Sequence, residues 1–147
     1  MLTFRHTFLA PLAQRSVYRL LADFTAINRW DPRARDAALM DGDGGVGSTF
    51  ACQAYFLGRF VTMRYVITDL APPSRIEWTG RSDLVRAHDT ICVSEHGPDV
   101  TEVSYEAKFE YPRLPTGLDR LLALPLRGLC NDARQGLERT LRQEVDD

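Results

Sequence analysis

The phrase Arg86-Ala-His88-Asp89-Thr90-Ile91 holds the side chains best suited to chemistry in this 147-residue chain. It lies in a run that alternates apolar and polar, and along such a run every second side chain shares a face. If the odd positions join Val85 and Ile91, Asp89 enters the apolar face. A carboxylate there must be paired, hydrogen-bonded or protonated, and its pKa shifts accordingly. Together with Tyr65 and Tyr105 it makes a polar anchor or an acid/base group for a polyphenolic ligand, so these three are the catalytic candidates. The plainer alternative is a structural partner for Arg64, Tyr65 or a backbone amide. A slip of one residue brings Arg86 and His88 inward instead.

Other motifs lose their chemistry on inspection. Gly42-Asp-Gly44-Gly45-Val-Gly47 matches GxGxxG, but a dinucleotide cradle needs a helix after it and here a strand pattern comes next, so the segment reads as a turn. As a calcium loop from Asp41 it fails, with Gly45 at the third acidic position, Val46 at the glycine position and Cys52 at the twelfth. His6, His88 and His96 have no metal-pair spacing, and there is no Gly-x-Ser-x-Gly elbow. Arg33, Arg35 and Asp36 read as a solvated loop. Cys52, Cys92 and Cys130 lack zinc spacing and are odd in number, which predicts free thiols in a reducing compartment.

Bulk properties set the class. Hydrophobic residues at 44% and charged residues at 26% are those of an ordinary globular chain, expected to form one domain over residues 1–147. A net charge of −2 disfavours nucleic acid, which wants a concentrated basic face. Nearly all the positive charge is arginine, Lys108 being the only lysine. No apolar leader comes after Met1 and no run approaches the roughly 18 apolar residues of a membrane span. A cytoplasmic protein without cofactor, metal or stable membrane insertion is expected, as monomer or homodimer.

The elements that would hold these residues are set by periodicity. Residues 2–10 alternate as a strand ended by Pro11. Val17, Leu20, Leu21 and Phe24 mark an amphipathic helix over 13–24, and a second short helix runs over 25–31 until the residue before Pro32 stops it. Six strands come next, at 35–40, 48–56, 60–70, 75–80, 84–95 and 100–111, with turns at Leu57-Gly58, Pro72-Pro73-Ser74 and His96-Gly-Pro-Asp99. Parity turns Phe50, Phe56, Met63, Tyr65, Ile67, Trp78, Val85, Ile91, Tyr105, Phe109 and Tyr111, with the small Ala107, to one face. Leu118, Leu121, Leu122, Leu126, Leu129, Ala133, Leu137 and Leu141 form a helical stripe, which Pro125 splits into a short and a long helix. The long helix must lie across the sheet, because neither apolar face has another partner.

Several phrases resemble the helix-grip superfamily that includes START domains, Bet v 1-like proteins and the polyketide cyclase/dehydrase family. They are Ala10-Pro-Leu-Ala, Val17-Tyr-Arg-Leu-Leu-Ala-Asp-Phe24, Ile27-Asn-Arg-Trp30-Asp-Pro32, Gly47-Ser-Thr-Phe50, Ile76-Glu-Trp78-Thr-Gly80 and Asp99-Val-Thr-Glu-Val-Ser-Tyr105. The resemblance spans essentially the whole chain. It implies an α+β fold in which a curved seven-stranded antiparallel sheet wraps a long C-terminal helix, with two short helices between strands one and two. It also implies a cavity between sheet and helix, with Trp30, Phe50, Phe56, Met63, Tyr65, Trp78, Asp89, Ile91, Tyr105 and Phe109 as the expected ligand-binding residues. Core and cavity look alike in sequence, so a filled interior stays open beside a hollow one. Two functions compete: binding or carriage of a hydrophobic, lipid- or polyketide-like molecule, and aldol cyclisation and dehydration by a polyketide cyclase/aromatase-like enzyme. Convergence of at least two of Tyr65, Asp89, Tyr105, His88 and Arg64 in one pocket discriminates between them.

Overall fold

A computed structural model describes residues 1–56, 58–115 and 117–146. The first strand, β1 (Leu2–Ala10), turns alternate residues inward. Helix α1 (Gln14–Ala22) then buries Val17, Tyr18 and Leu21. It stops short of Phe24 because Asp23 is extended and its Oδ1 accepts from Thr25 N–H at 3.1 Å, capping a 3₁₀ turn at Phe24–Ala26. Helix α2 (Ile27–Trp30) comes next and ends at Asp31, extended before Pro32 as proline requires.

Six strands complete the sheet: β2 (Ala34–Asp41), β3 (Thr49–Phe56), β4 (Arg59–Ala71), β5 (Arg75–Arg81), β6 (Arg86–Gly97) and β7 (Val100–Glu110). Their order is β1-β7-β6-β5-β4-β3-β2, antiparallel throughout. This is the expected α+β helix-grip layout. The turn expected at Leu57-Gly58 includes Leu57, which lies outside the described residues. A register shift between Ile67 and Asp69 bulges β4, and bulges bend and twist a strand. The glycine loop after β2 is a turn: Gly42, Gly44 and Gly47 have φ of +100°, +97° and +88°, and strand β3 begins directly after it.

Pairing settles the register of β6. Trp78 faces Asp89 and Ile76 faces Ile91 across β5 and β6. Asp89 therefore shares the inner face with Ile91, while Arg86 is exposed and His88 sits outside with Nε2 3.5 Å from Glu77 Oε1. Arg35 and Asp36 are exposed on β2, as a solvated segment should be.

Past β7 a 3₁₀ turn at Leu118–Leu122 leads into α3 (Ala123–Asp146). Pro125 is the third residue of α3, in the first turn, where proline is tolerated, and the short 3₁₀ segment meets the long helix just before it. The apolar stripe needs correction at one end. Leu126, Leu137 and Leu141 are buried, but Leu118 and Leu121 face outward. The 3₁₀ turn has three residues per turn rather than 3.6, so a stripe extrapolated from the helix leaves the core there.

The docking of α3 rests on a close backbone approach. A Cβ added to Gly136 would stand 1.9 Å from the carbonyl oxygen of Trp30, so only glycine lets α2 and α3 touch. One turn later Thr140 Oγ1 shares its hydrogen between Gly136 O at 2.9 Å and Arg29 O at 3.2 Å, and Arg29–Glu144 and Arg33–Asp132 ion pairs flank the contact. In an isolated helix, Gly136→Ala would favour helix by about 1 kcal/mol. Here it is expected to destabilise the protein, by about 1–3 kcal/mol as overpacking does, in urea denaturation. Leu137→Ala should cost about 2–5 kcal/mol, and values below about 0.5 kcal/mol for both would place α3 off the sheet.

Candidate functional site

The inner face of the sheet divides into a filled half and a hollow half. Phe24 plugs the first, its ring centroid 4.9 Å from Phe50, 4.8 Å from Tyr65 and 5.2 Å from Trp78. Helix α1 covers the same end against β5 and β6. The hollow half lies under α3, where a cavity of about 70 Å³ is open to the centre of a water-sized sphere. One water needs roughly 10–15 Å³ by that measure, so the interior is not filled.

This division sorts the expected ligand-binding residues. Trp30, Phe56, Tyr65, Asp89, Tyr105 and Phe109 line the cavity. Phe50, Met63, Trp78 and Ile91 turn inward as parity demands but lie outside its lining, buried in the core, where Phe50 and Trp78 pack on Phe24. The open volume comes from small side chains set among aromatic ones: Cys52, Ala54, Ala87 and Ala107 from the sheet, Cys130 and Ala133 from α3. Ala107 stands opposite Asp89 in the β6–β7 ladder and leaves space beside the carboxylate. Gly80 faces Tyr65 across β4 and β5, and a Cβ there would come within 2.3 Å of the tyrosine ring, so the glycine makes room for Tyr65 to lie flat.

Asp89 is the polar centre. Its Oδ2 accepts from Tyr105 Oη at 2.6 Å and from Trp78 Nε1 at 3.1 Å. The first is the length of a charge-assisted O–H···O⁻ bond. Its Oδ1 is buried and has no hydrogen-bond partner among the described residues. Burial pushes the carboxyl up to about 6, against the lowering pull of the two donors. Asp31, at the end of α2, also lines the cavity; burial lifts it to about 6 although the Arg33 amide donates to Oδ1 at 2.9 Å. Burial, reinforced by the Asp89 charge, holds Tyr65 and Tyr105 well above the usual phenol range, so both remain neutral. The thiols of Cys52 and Cys130 are driven by burial up to about 11 and about 12, which makes them poor nucleophiles.

Three of the five discriminating residues, Tyr65, Asp89 and Tyr105, therefore converge in one cavity; His88 and Arg64 do not line it. Sequence reasoning missed Asp31, His6, Arg33 and Arg134. Arg33, expected in a solvated loop, lines the cavity and pairs with Asp132 of α3 at 2.9 Å. His6 lines it from β1 with Nε2 buried and without a hydrogen-bond partner among the described residues, and burial lowers its pKa. Parity along β1 carried a signal for His6, since Phe4 and Phe8 flank it on the inward face. Nothing local marks Asp31 or Arg33. Among the described residues no cluster of histidine, cysteine or carboxylate side chains is suited to a metal.

A curled antiparallel sheet gripping a terminal helix around a mostly apolar chamber defines a helix-grip protein. The chain belongs to the family described as polyketide cyclase / dehydrase and lipid transport, which it matches over residues 1–143. No curated protein matches it in sequence. Among solved structures it is similar to the Zhui aromatase/cyclase from a Streptomyces species, with TM-score 0.78, 13% identity and coverage of 98% of this chain and 93% of that one. A START superfamily protein from Mycobacterium smegmatis superposes with TM-score 0.76 at 16% identity, covering 98% and 97%. Norcoclaurine synthase of Thalictrum flavum gives 0.72 at 13% identity, covering 97% and 95%. At these identities the likeness establishes the fold. Among the described residues no helix is long and apolar enough to cross a membrane.

The Asp89 environment has a measurable signature. Its folded pKa of about 6 lies above the ordinary 3.8, so the folded state holds its proton more tightly than the unfolded chain. The resulting stabilisation is complete below the unfolded value and is lost as pH rises through the folded one. Relative to Asp89→Asn, the wild type should lose stability between roughly pH 4 and pH 6 and then level off, by on the order of 3 kcal/mol at 1.36 kcal/mol per pH unit. Urea denaturation of both proteins across this window reads the difference, and a flat difference curve would place Asp89 in solvent.

Proposed function

We propose that this protein binds and carries an apolar small molecule that offers at least one hydroxyl or amine hydrogen to Asp89. One observation carries the reading: a mostly apolar chamber holds a buried carboxylate oxygen, Asp89 Oδ1, that no group among the described residues satisfies. A buried acceptor left unpaired is costly, and a ligand donor removes that cost on binding. Trp30, Phe56 and Phe109 supply the apolar contact, while Tyr65 and His6 offer further polar contacts. The family description, which includes lipid transport, supports the same reading. The carrier is taken as cytoplasmic, a monomer or homodimer without nucleic acid, in keeping with three free cysteines in a reducing compartment.

A second reading has its own support. Asp89 sits in hydrogen-bond contact with Tyr105 and shares the cavity with Tyr65, and a carboxyl near pKa 6 exchanges a proton close to neutral pH. An aldol closure needs a proton removed beside one carbonyl and a proton delivered to the oxygen of another. Asp89 would serve as base, and Tyr65 as neutral donor, on a poly-β-ketone held in the chamber. The family description and the likeness to an aromatase/cyclase favour this class among enzymes.

An environment-sensitive naphthalene dye should bind the native protein saturably, one to one, and be displaced by flavonoid- or fatty-acid-like compounds. Ala107→Trp should fill the chamber and weaken binding roughly five- to hundredfold, the equivalent of about 1–3 kcal/mol of overpacking. Asp89→Asn should weaken a hydroxylated ligand by roughly ten- to hundredfold, as expected for a hydrogen bond to a charged group. A ligand without donors should be indifferent to that change. Absence of saturable binding would remove the carrier reading, and turnover of a poly-β-ketone that Asp89→Asn abolishes while binding persists would select the enzyme.

A further inference from the structure

The passage from β7 into α3 leaves an apolar surface uncovered. Leu114, Leu118, Leu121 and Leu124 are 40%, 44%, 76% and 77% exposed. Leu118, Leu121 and Leu124, spaced three residues apart, group on one side of the 3₁₀ turn and the first turn of α3, because residues three apart eclipse in a 3₁₀ turn. Leu122 and Leu126 face the core from the same segment, so the outward leucines are a second apolar side and not the rim of the first. Exposed leucines scattered singly need no explanation, but a contiguous group does.

Charge identifies what covers it. Residues 112–127 contain Arg113, Arg120 and Arg127 against Asp119 alone, a positive stretch in a chain of net charge −2. All three arginines are exposed, and none is ion-paired among the described residues. In a twofold contact between two copies the same net-positive patch would meet itself. A bilayer with anionic headgroups suits both features at once: leucines enter the acyl boundary and arginines meet phosphate. We infer that this segment docks the protein peripherally on an anionic lipid surface.

The position connects docking to the chamber. The segment joins Phe109 to Leu129, both of which line the cavity. Leu124 and Leu129 are five residues apart on α3, about 7.5 Å at 1.5 Å per residue. The docking surface and the cavity wall are thus neighbours along α3. The docking itself does not depend on what the cavity holds.

Co-sedimentation of the full chain with vesicles containing phosphatidylglycerol, against pure phosphatidylcholine vesicles, tests this. The wild type should partition onto the anionic vesicles and come off as salt is raised. Leu121→Glu with Leu124→Glu should lower partition at least about tenfold, since each burial of a leucine contributes that much or more. Arg120→Gln and Arg127→Gln should each lower it about fivefold on anionic vesicles alone. These side chains are exposed, so the variants should keep the wild-type melting curve and the dye-binding isotherm of the cavity, which separates failure of docking from failure of the carrier reading. No partition of the wild type, or equal partition of the leucine variant, would overturn the inference. So would a concentration-dependent dimer that the leucine variant dissolves, because the patch would then belong to a second copy.

Discussion

Everything in this molecule depends on holding α3 over the sheet at a distance that covers the apolar face without filling it. That distance is set at one end of the contact, where the Gly136 backbone meets the Trp30 carbonyl with no Cβ between them. The Thr140 hydrogen bond to Arg29 and the two flanking ion pairs fix the rotation of the helix at the same place. Exposed ion pairs contribute little stability, so backbone contact and apolar burial carry the attachment while the pairs orient it. Leu137 and Leu141, both fully buried, then seal α3 near this contact. Further along, Leu129, Cys130 and Ala133 stand above open space.

The electrostatics of the chamber derive from that geometry. Two carboxylates, Asp31 and Asp89, sit beneath the helix, and the charge of Asp31 adds to the rise of the Asp89 pKa. Asp31 is eased by the Arg33 amide and guanidinium. Among the described residues Asp89 has two neutral donors, both on one oxygen, and none on the other. An apolar wall cannot distinguish ligands that differ by a methylene by more than about 1–3 kcal/mol. A single unsatisfied acceptor can, because a ligand without a matching donor leaves it unpaired. On the proposed reading, selectivity rests with the carboxylates and affinity with the aromatic residues.

Much of the fold was legible along the chain. Alternation over 100–110 and the glycine and proline turns located the strands, and two apolar faces without other partners required helix on sheet. The glycine-rich loop could be separated from a phosphate cradle because a strand, and not a helix, begins at its end. The site was legible as far as parity reaches: Asp89, Tyr65 and Tyr105 share a face because each lies on a strand whose inward positions the apolar neighbours declare. His6 was readable by the same rule, between Phe4 and Phe8, but a lone histidine is not singled out by pattern.

Periodicity determines which side of an element a residue occupies, so the sequence by itself established the α+β class, the order of elements and the inward face of each strand. Tertiary structure decided what periodicity does not encode. Strand pairing chose Asp89 over His88, since the two registers differ by one residue and either gives a plausible face. Phe24, from outside the sheet, filled the half that holds Phe50 and Trp78 and left the other half hollow. The meeting of α2 with α3 carried Asp31, from the end of the second short helix, and Arg33, read as part of a solvated loop, to the cavity wall. Each outcome depends on distances between segments far apart in sequence, which the order of residues along one strand or helix does not specify.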